Sequence, residues 1–163
     1  MVLFKTHLCA LTQWSAHGFT HNHVYYRTAE HWMMAHKADV FDSSGTAKRN
    51  VLRAATSADA KDVATNAANG GDWRMWDRWN AKKEDVVYEG NLHKFKAHPA
   101  ERRKLLGTYP NKLVEATSRD PIWGAGLDAH DIISRNLSYG DLSGQNLLGK
   151  ALERVRLQLY VEG

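Results

Sequence analysis

The chain has 163 residues, of which 43% are apolar and 25% charged, with 12 glycines, 3 prolines and 1 cysteine. These proportions belong to a folded globular domain and exclude disordered, collagen-like and disulfide-stapled classes; a domain of this length buries roughly 70% of its unfolded surface and needs no structural metal. The formal charge of +4 is small, and its residues are interleaved with acids, as in 74–85 and 101–104, which argues against a dedicated nucleic-acid-binding domain.

No apolar run is long enough to span a bilayer, and the N-terminus lacks a charged segment followed by a clean apolar stretch. One cytoplasmic domain over residues 1–163 is expected, with no membrane association and no stable protein partner. In chain order, residues 19–26 alternate around a His-Asn-His centre and predict a short hairpin. Thr28 caps a first helix over residues 29–41, which DSSG at residues 42–45 stops. A second helix is predicted over 46–55 and a loop over the Asn/Gly-rich stretch 64–72. A long helix follows over 76–96, weakened in its middle by Gly90. Pro99 starts a short helix that Gly107 ends. A strand over 113–116, turn chemistry over 118–127 and an amphipathic helix over 145–161, with Leu148, Leu152, Val155 and Leu159 on one stripe, complete the chain. The expected architecture is mainly α with a small antiparallel β element.

On the first helix Glu30, Met33, Met34, Lys37 and Phe41 recur at helical spacing. A carboxylate and an amine are thus separated by two turns, roughly 10 Å of rise, on a helix apolar nearly all round. Charges on such a helix are costly unless paired or placed in a cleft; an ordinary solvent-facing pair is the competing explanation. The nine histidines do not make a metal site: His21 and His23 are read as alternating on a strand, while His31 and His36 are five apart and face different ways. No catalytic metal and no cofactor are expected. The loop Asp120-Pro121-Ile122-Trp123-Gly124-Ala125-Gly126 can present Asp120 and Trp123 to a ligand, with Gly124 allowing close backbone approach, or it can be a simple turn. Trp79 and Lys83 share a face of the long helix, where a core tryptophan with a snorkelling lysine is the plainer explanation.

Taken in order, several stretches resemble the NADAR family of YbiA-like N-glycosidases. They are Thr12-Gln13-Trp14, the hairpin, Ala29-Glu30-His31-Trp32-Met33-Met34-Ala35-His36-Lys37-Ala38, Trp79, Gly90-Asn91-Leu92-His93-Lys94-Phe95, Arg119-Asp120-Pro121-Ile122-Trp123-Gly124 and Asn146-Leu147-Leu148-Gly149. The resemblance implies a single-domain YbiA-like fold and hydrolysis of an N-glycosidic bond, with Glu30, Lys37 and Asp120 as catalytic residues. It implies Trp14, Tyr26, Trp79, Trp123, Gly124 and Asn146 as substrate contacts. The wording Gln13-Trp14 and Trp32-Met33-Met34-Ala35 is closer to the branch that removes ADP-ribose from guanine, free or in DNA or RNA. The other branch cleaves ribosylated pyrimidines of riboflavin synthesis. A non-catalytic ADP-ribose-binding module is the alternative of another class. Where relatives often carry a Gly-Arg step after an Ala-Lys pair, this chain reads Ala60-Lys61-Asp62, so a phosphate contact made there falls to another cation, with Lys48 or Arg49 as candidates.

Overall fold

The computed structural model describes residues 1–5 and 9–163. Its elements in order are β1 (Val2–Phe4), β2 (Phe19–His21), β3 (Val24–Tyr26), α1 (Ala29–Phe41), α2 (Thr46–Arg53), α3 (Ser57–Ala68), α4 (Trp73–Ala97), α5 (Pro99–Leu106), β4 (Leu113–Glu115), α6 (Ala129–Ser134) and α7 (Leu147–Val161), with a 3-10 turn at Tyr139–Asp141. The chain is mainly helical, and it divides into two compact units: residues 16–97, and residues 1–15 with 98–163.

In the unit of residues 16–97, α1 packs against α2, α3 and α4. Every residue from Ala29 to Ala35 is buried, as are Ala38 and Phe41. A helix enclosed in this way must have its polar groups answered internally. Its start is answered by a chain of side chains. His31 Nε2 lies 3.1 Å from the carbonyl of Ala54, which can only accept, so Nε2 carries the proton and Nδ1 accepts from the Thr28 hydroxyl at 2.8 Å. Thr28 Oγ1 in turn accepts from the His31 amide at 3.2 Å, and it lies 3.0 Å from Ser57 Oγ at the start of α3. One neutral histidine thereby joins the cap of α1 to the first turn of α3. Burial pushes the His31 pKa down, with the Ala54 carbonyl opposing.

The hairpin β2–β3 pairs antiparallel, Phe19 with Tyr26 and His21 with Val24. Its turn is Asn22-His23, both with positive φ. His23 therefore sits in the turn rather than alternating with His21 on a strand, because a two-residue hairpin loop needs two left-handed residues. The predicted loop at 64–72 is also corrected: α3 runs to Ala68, with Ala60, Ala64 and Ala68 buried on one face. Alanine spacing at i, i+4 and i+8 decides this segment, and only residues 69–72 connect α3 to α4.

Trp32 fixes how α1 meets α4. Its indole Nε1 donates to the Val86 carbonyl at 2.8 Å, and an alanine methyl at Gly90 would lie 2.9 Å from Trp32 Cγ and Nε1. Gly90 is thus the notch that admits the indole rather than a mere weak point.

The unit of residues 1–15 and 98–163 contains a second strand pair that sequence reading did not anticipate. β1 runs parallel to β4 with Val2 opposite Leu113 and Phe4 opposite Glu115. Val114, Ala116, Ala125 and Ile132 form a buried cluster beneath it, and the α7 stripe of Leu148, Leu152, Val155 and Leu159 is fully buried as predicted. The short helix α6 was also not anticipated.

Two outcomes are expected. Gly90→Ala gains about 1 kcal/mol of helix propensity, but the collision with Trp32 outweighs it, and urea unfolding should show a net loss of about 1–2 kcal/mol; an unchanged or raised midpoint would refute the notch. His31, His36 and His93 all have pKa values lowered, chiefly by burial. Below the unfolded value of 6.5 the unfolded chain binds more protons than the folded one, so this stability is present above pH 6.5 and lost as pH falls through and below it. The urea midpoint should therefore drop between pH 7.5 and pH 5.5 and recover on return.

Candidate functional site

Glu30 and Lys37 lie two turns apart on α1, and helical side chains lean toward the N-terminus, which carries the long lysine stem back toward the carboxylate. Glu30 is 5% exposed, while Lys37 is half-buried. The ammonium stands 5.2 Å from the centroid of the Trp76 ring, contributed by α4. Trp76 itself packs edge-on against Phe41 at 4.7 Å and keeps 38% of its surface exposed. Burial lowers the Lys37 pKa, Lys61 on α3 lowers it further, and Glu30 opposes both. The unit of residues 16–97 thus brings together an amine biased toward its neutral form, a buried carboxylate and an indole open to solvent.

Trp76 is the functional candidate that sequence reasoning missed. Trp79, one turn on, is 4% exposed and belongs to the core; the pair of tryptophans at i and i+3 was the available signal, but spacing alone did not tell which one faces outward. Tyr26 is also enclosed, its ring 5.7 Å from Phe19 and 4.9 Å from Trp32, and burial raises its pKa. Of the two candidate phosphate cations, Lys48 is paired with Asp39 at 2.6 Å, and Arg49 Nη2 donates to Thr46 Oγ1 at 2.9 Å.

In the unit of residues 1–15 and 98–163, Asp120, Trp123, Gly124 and Asn146 belong to one hydrogen-bonded turn. Asp120 Oδ1 accepts from the amides of Ile122 at 3.0 Å and Trp123 at 2.9 Å. The carbonyls of Pro121, Ile122, Trp123 and Gly124 accept from the amides of Gln145, Leu147, Leu148 and Asn146. The loop therefore satisfies the start of α7, whose first amides have no partner within the helix. Gly124 is enclosed: a methyl there would approach the Asp120 carbonyl at 2.9 Å and the Glu115 carbonyl at 3.1 Å. Asn146 is 1% exposed, and its side-chain amide bonds the backbone of β4 at Glu115 N (3.0 Å) and Leu113 O (2.8 Å). Trp123 is half-buried, and Trp14 is 43% exposed.

Among the described residues, Asp128, His130 and Asp131 group their possible metal-ligand atoms within 4.8 Å. Asp128 Oδ1 accepts from the Asp131 amide at 3.1 Å, a helix cap that accounts for their proximity. Among the same residues no helix is long and apolar enough to cross a membrane.

N-glycosidase R617 of Acanthamoeba polyphaga mimivirus is 35% identical over 131 residues, which cover 80% of this chain and 73% of that protein. N-glycosidase YbiA of Escherichia coli strain K12 is 37% identical over 84 residues, which cover 52% of this chain and 44% of that protein. The NMR structure of E. coli YbiA matches the fold with a TM-score of 0.76 at 24% identity, covering 99% of this chain and 85% of that one. The NADAR domain family matches residues 3–160, and with nearly the whole sequence matched, the chain belongs to the NADAR family.

Proposed function

We propose that the chain is an N-glycosidase, a hydrolase of N-glycosyl bonds, that works through Glu30 and Lys37 and releases ADP-ribose from guanine. The observation that carries this reading is Lys37 itself, a half-buried amine of lowered pKa that feels the Glu30 charge and stands 5.2 Å from the Trp76 ring centroid. A surface lysine that served only solubility would have no reason to be so placed.

The chemistry follows from these groups. Breaking an N-ribosyl bond builds positive charge on the anomeric carbon and ring oxygen, which a nearby carboxylate stabilises. The neutral Lys37 amine attacks the anomeric carbon as its bond to the base breaks, and the base leaves with a proton. The ring oxygen then takes a proton as the sugar opens to an imine on Lys37. Water adds to the imine, and ADP-ribose departs while the amine is restored. Glu30 is suited to the proton transfers. Trp76 offers an indole face to the base or sugar.

The other candidate residues divide by their surroundings. The bonds of Asp120, Gly124 and Asn146 support positioning roles for all three in holding their loop against α7 and β4. Tyr26 and Trp79 are enclosed, which supports a role in shaping the α1 face from beneath. Trp14 and Trp123 keep exposed surface for stacking on a ligand. The guanine assignment is supported by the motif wording around Trp14 and Trp32. It is tested by offering the protein an ADP-ribosylated guanine oligonucleotide and, separately, the ribosylaminopyrimidine phosphate of riboflavin synthesis. ADP-ribose release from the first is the expected result; release only from the second would reassign the substrate, and release from neither would overturn the enzyme reading.

Two further outcomes are expected. Glu30→Gln should lower turnover roughly 100-fold to 10,000-fold with an unchanged fold by circular dichroism; full activity would remove Glu30 from the mechanism. Borohydride added during turnover should trap ADP-ribose on Lys37. Because only the neutral amine attacks, trapping should rise with pH around a midpoint below the ordinary lysine value of 10.5; an active protein that never traps would overturn covalent catalysis.

A further inference from the structure

The unit of residues 1–15 and 98–163 contains a cavity of about 910 Å³ between the end of α5 and the C-terminal half of α7. Its volume lies within the range of small-molecule sites, and nothing in the glycosidase reading uses it. Arg156 lines it and is only 7% exposed. One edge of the guanidinium is fixed: Nη1 donates to Thr108 Oγ1 at 2.7 Å and to the Asn111 carbonyl at 2.9 Å. The other edge, the parallel Nε–H and Nη2–H pair, has no partner among the described residues. A guanidinium held rigid on one side, with its fork unengaged on the other, is pre-organised for an oxyanion.

The surrounding charges favour an anion. Arg154 also lines the cavity. Among the described lining residues the carboxylate is Glu153, committed on both oxygens, to the Leu113 amide at 2.9 Å and to Lys112 Nζ at 3.0 Å. Two tyrosines line its walls. Tyr109 is 75% exposed and Tyr160 77%, and Leu157 adds an apolar surface. The Arg156 guanidinium carbon lies 5.6 Å from the Tyr109 ring centroid, so one stacking surface is fixed beside the fork. Exposed aromatic rings beside cationic groups are a stacking platform for bases.

We propose that this cavity is a nucleotide-binding site, with a phosphate monoester on the Arg156 fork and the base against Tyr109 and Tyr160. The nucleotide is either free or the phosphorylated end of a single strand, and the two sources share this chemistry.

The test is binding, read by NMR on protein with ¹³C-labelled tyrosine rings, with the Tyr109 and Tyr160 signals assigned from single Tyr→Phe variants. AMP should move both signals saturably. Adenosine and inorganic phosphate should each bind at least tenfold more weakly than AMP. Tyr160→Ala, at an exposed position, should weaken the AMP response of Tyr109 at least tenfold without altering the fold, and Arg156→Gln should abolish the preference for AMP over adenosine. A 5′-phosphorylated oligonucleotide binding tenfold tighter than AMP assigns the strand end as occupant; equal affinity assigns the free nucleotide. Unmoved signals, adenosine binding as well as AMP, or O-phosphotyrosine binding ahead of AMP would each overturn the site. The readout does not depend on turnover, so its failure and that of the glycosidase reading are separately visible.

Discussion

The enclosure of α1 is the constraint on which its unit depends. Thirteen residues form a helix flanked by α2, α3 and α4, and burying a polar group there costs free energy unless a partner answers it. His31 shows how closely the answer is specified. Its tautomer follows from a carbonyl that can only accept, and the same ring then orients the Thr28 hydroxyl that caps α1 and contacts Ser57 at the start of α3. Two helix starts and one interhelical contact thus share a single proton arrangement. A substitution at any of the three residues disturbs the others.

The same enclosure sets the environment of Lys37. A lysine in water is almost wholly protonated and does not attack carbon. Partial removal from solvent, reinforced by the nearby Lys61 charge, works against the charged form, while Glu30 keeps the bias from being complete. The Trp76 ring lies over the ammonium, where a cation-π contact favours the charged amine. The mechanism proposed for Lys37 therefore asks the same helix for both rigidity, from its buried side, and an amine, from its half-exposed turn.

Much of this was legible in the sequence, because local signals and tertiary outcome agreed. Thr28 as a cap, Pro99 at a helix start, Gly107 after its end and the leucine stripe of α7 carry their meaning in a few neighbouring residues. The failures come from interactions between distant residues. The parallel pairing of Val2–Phe4 with Leu113–Glu115 joins segments about 110 residues apart, and no local pattern encodes it. The extension of α3 through Ala64 and Ala68 was masked by asparagines and glycines that follow. Among the tryptophans, whether Trp76 or Trp79 faced outward depended on how α4 is rotated against α1. The Asp120 loop looked like ligand-presenting geometry and also like a turn; the hydrogen bonds show a turn whose carbonyls receive α7.

Asn146 has a consequence beyond that loop. β4 hydrogen-bonds to β1 on one side, and a strand with its other side unanswered would be a template for any passing extended chain. Here that side is occupied by side chains: Glu153 takes the Leu113 amide, and Asn146 takes the Glu115 amide and the Leu113 carbonyl. Gly149 keeps the helix close enough for this, since a methyl there would collide with the Leu113 carbonyl. The β4 edge of this two-stranded parallel ribbon is thereby closed to a third strand without a further β element. One asparagine, one glutamate and one glycine of α7 and its cap thus stand where an added strand would otherwise pair with β4.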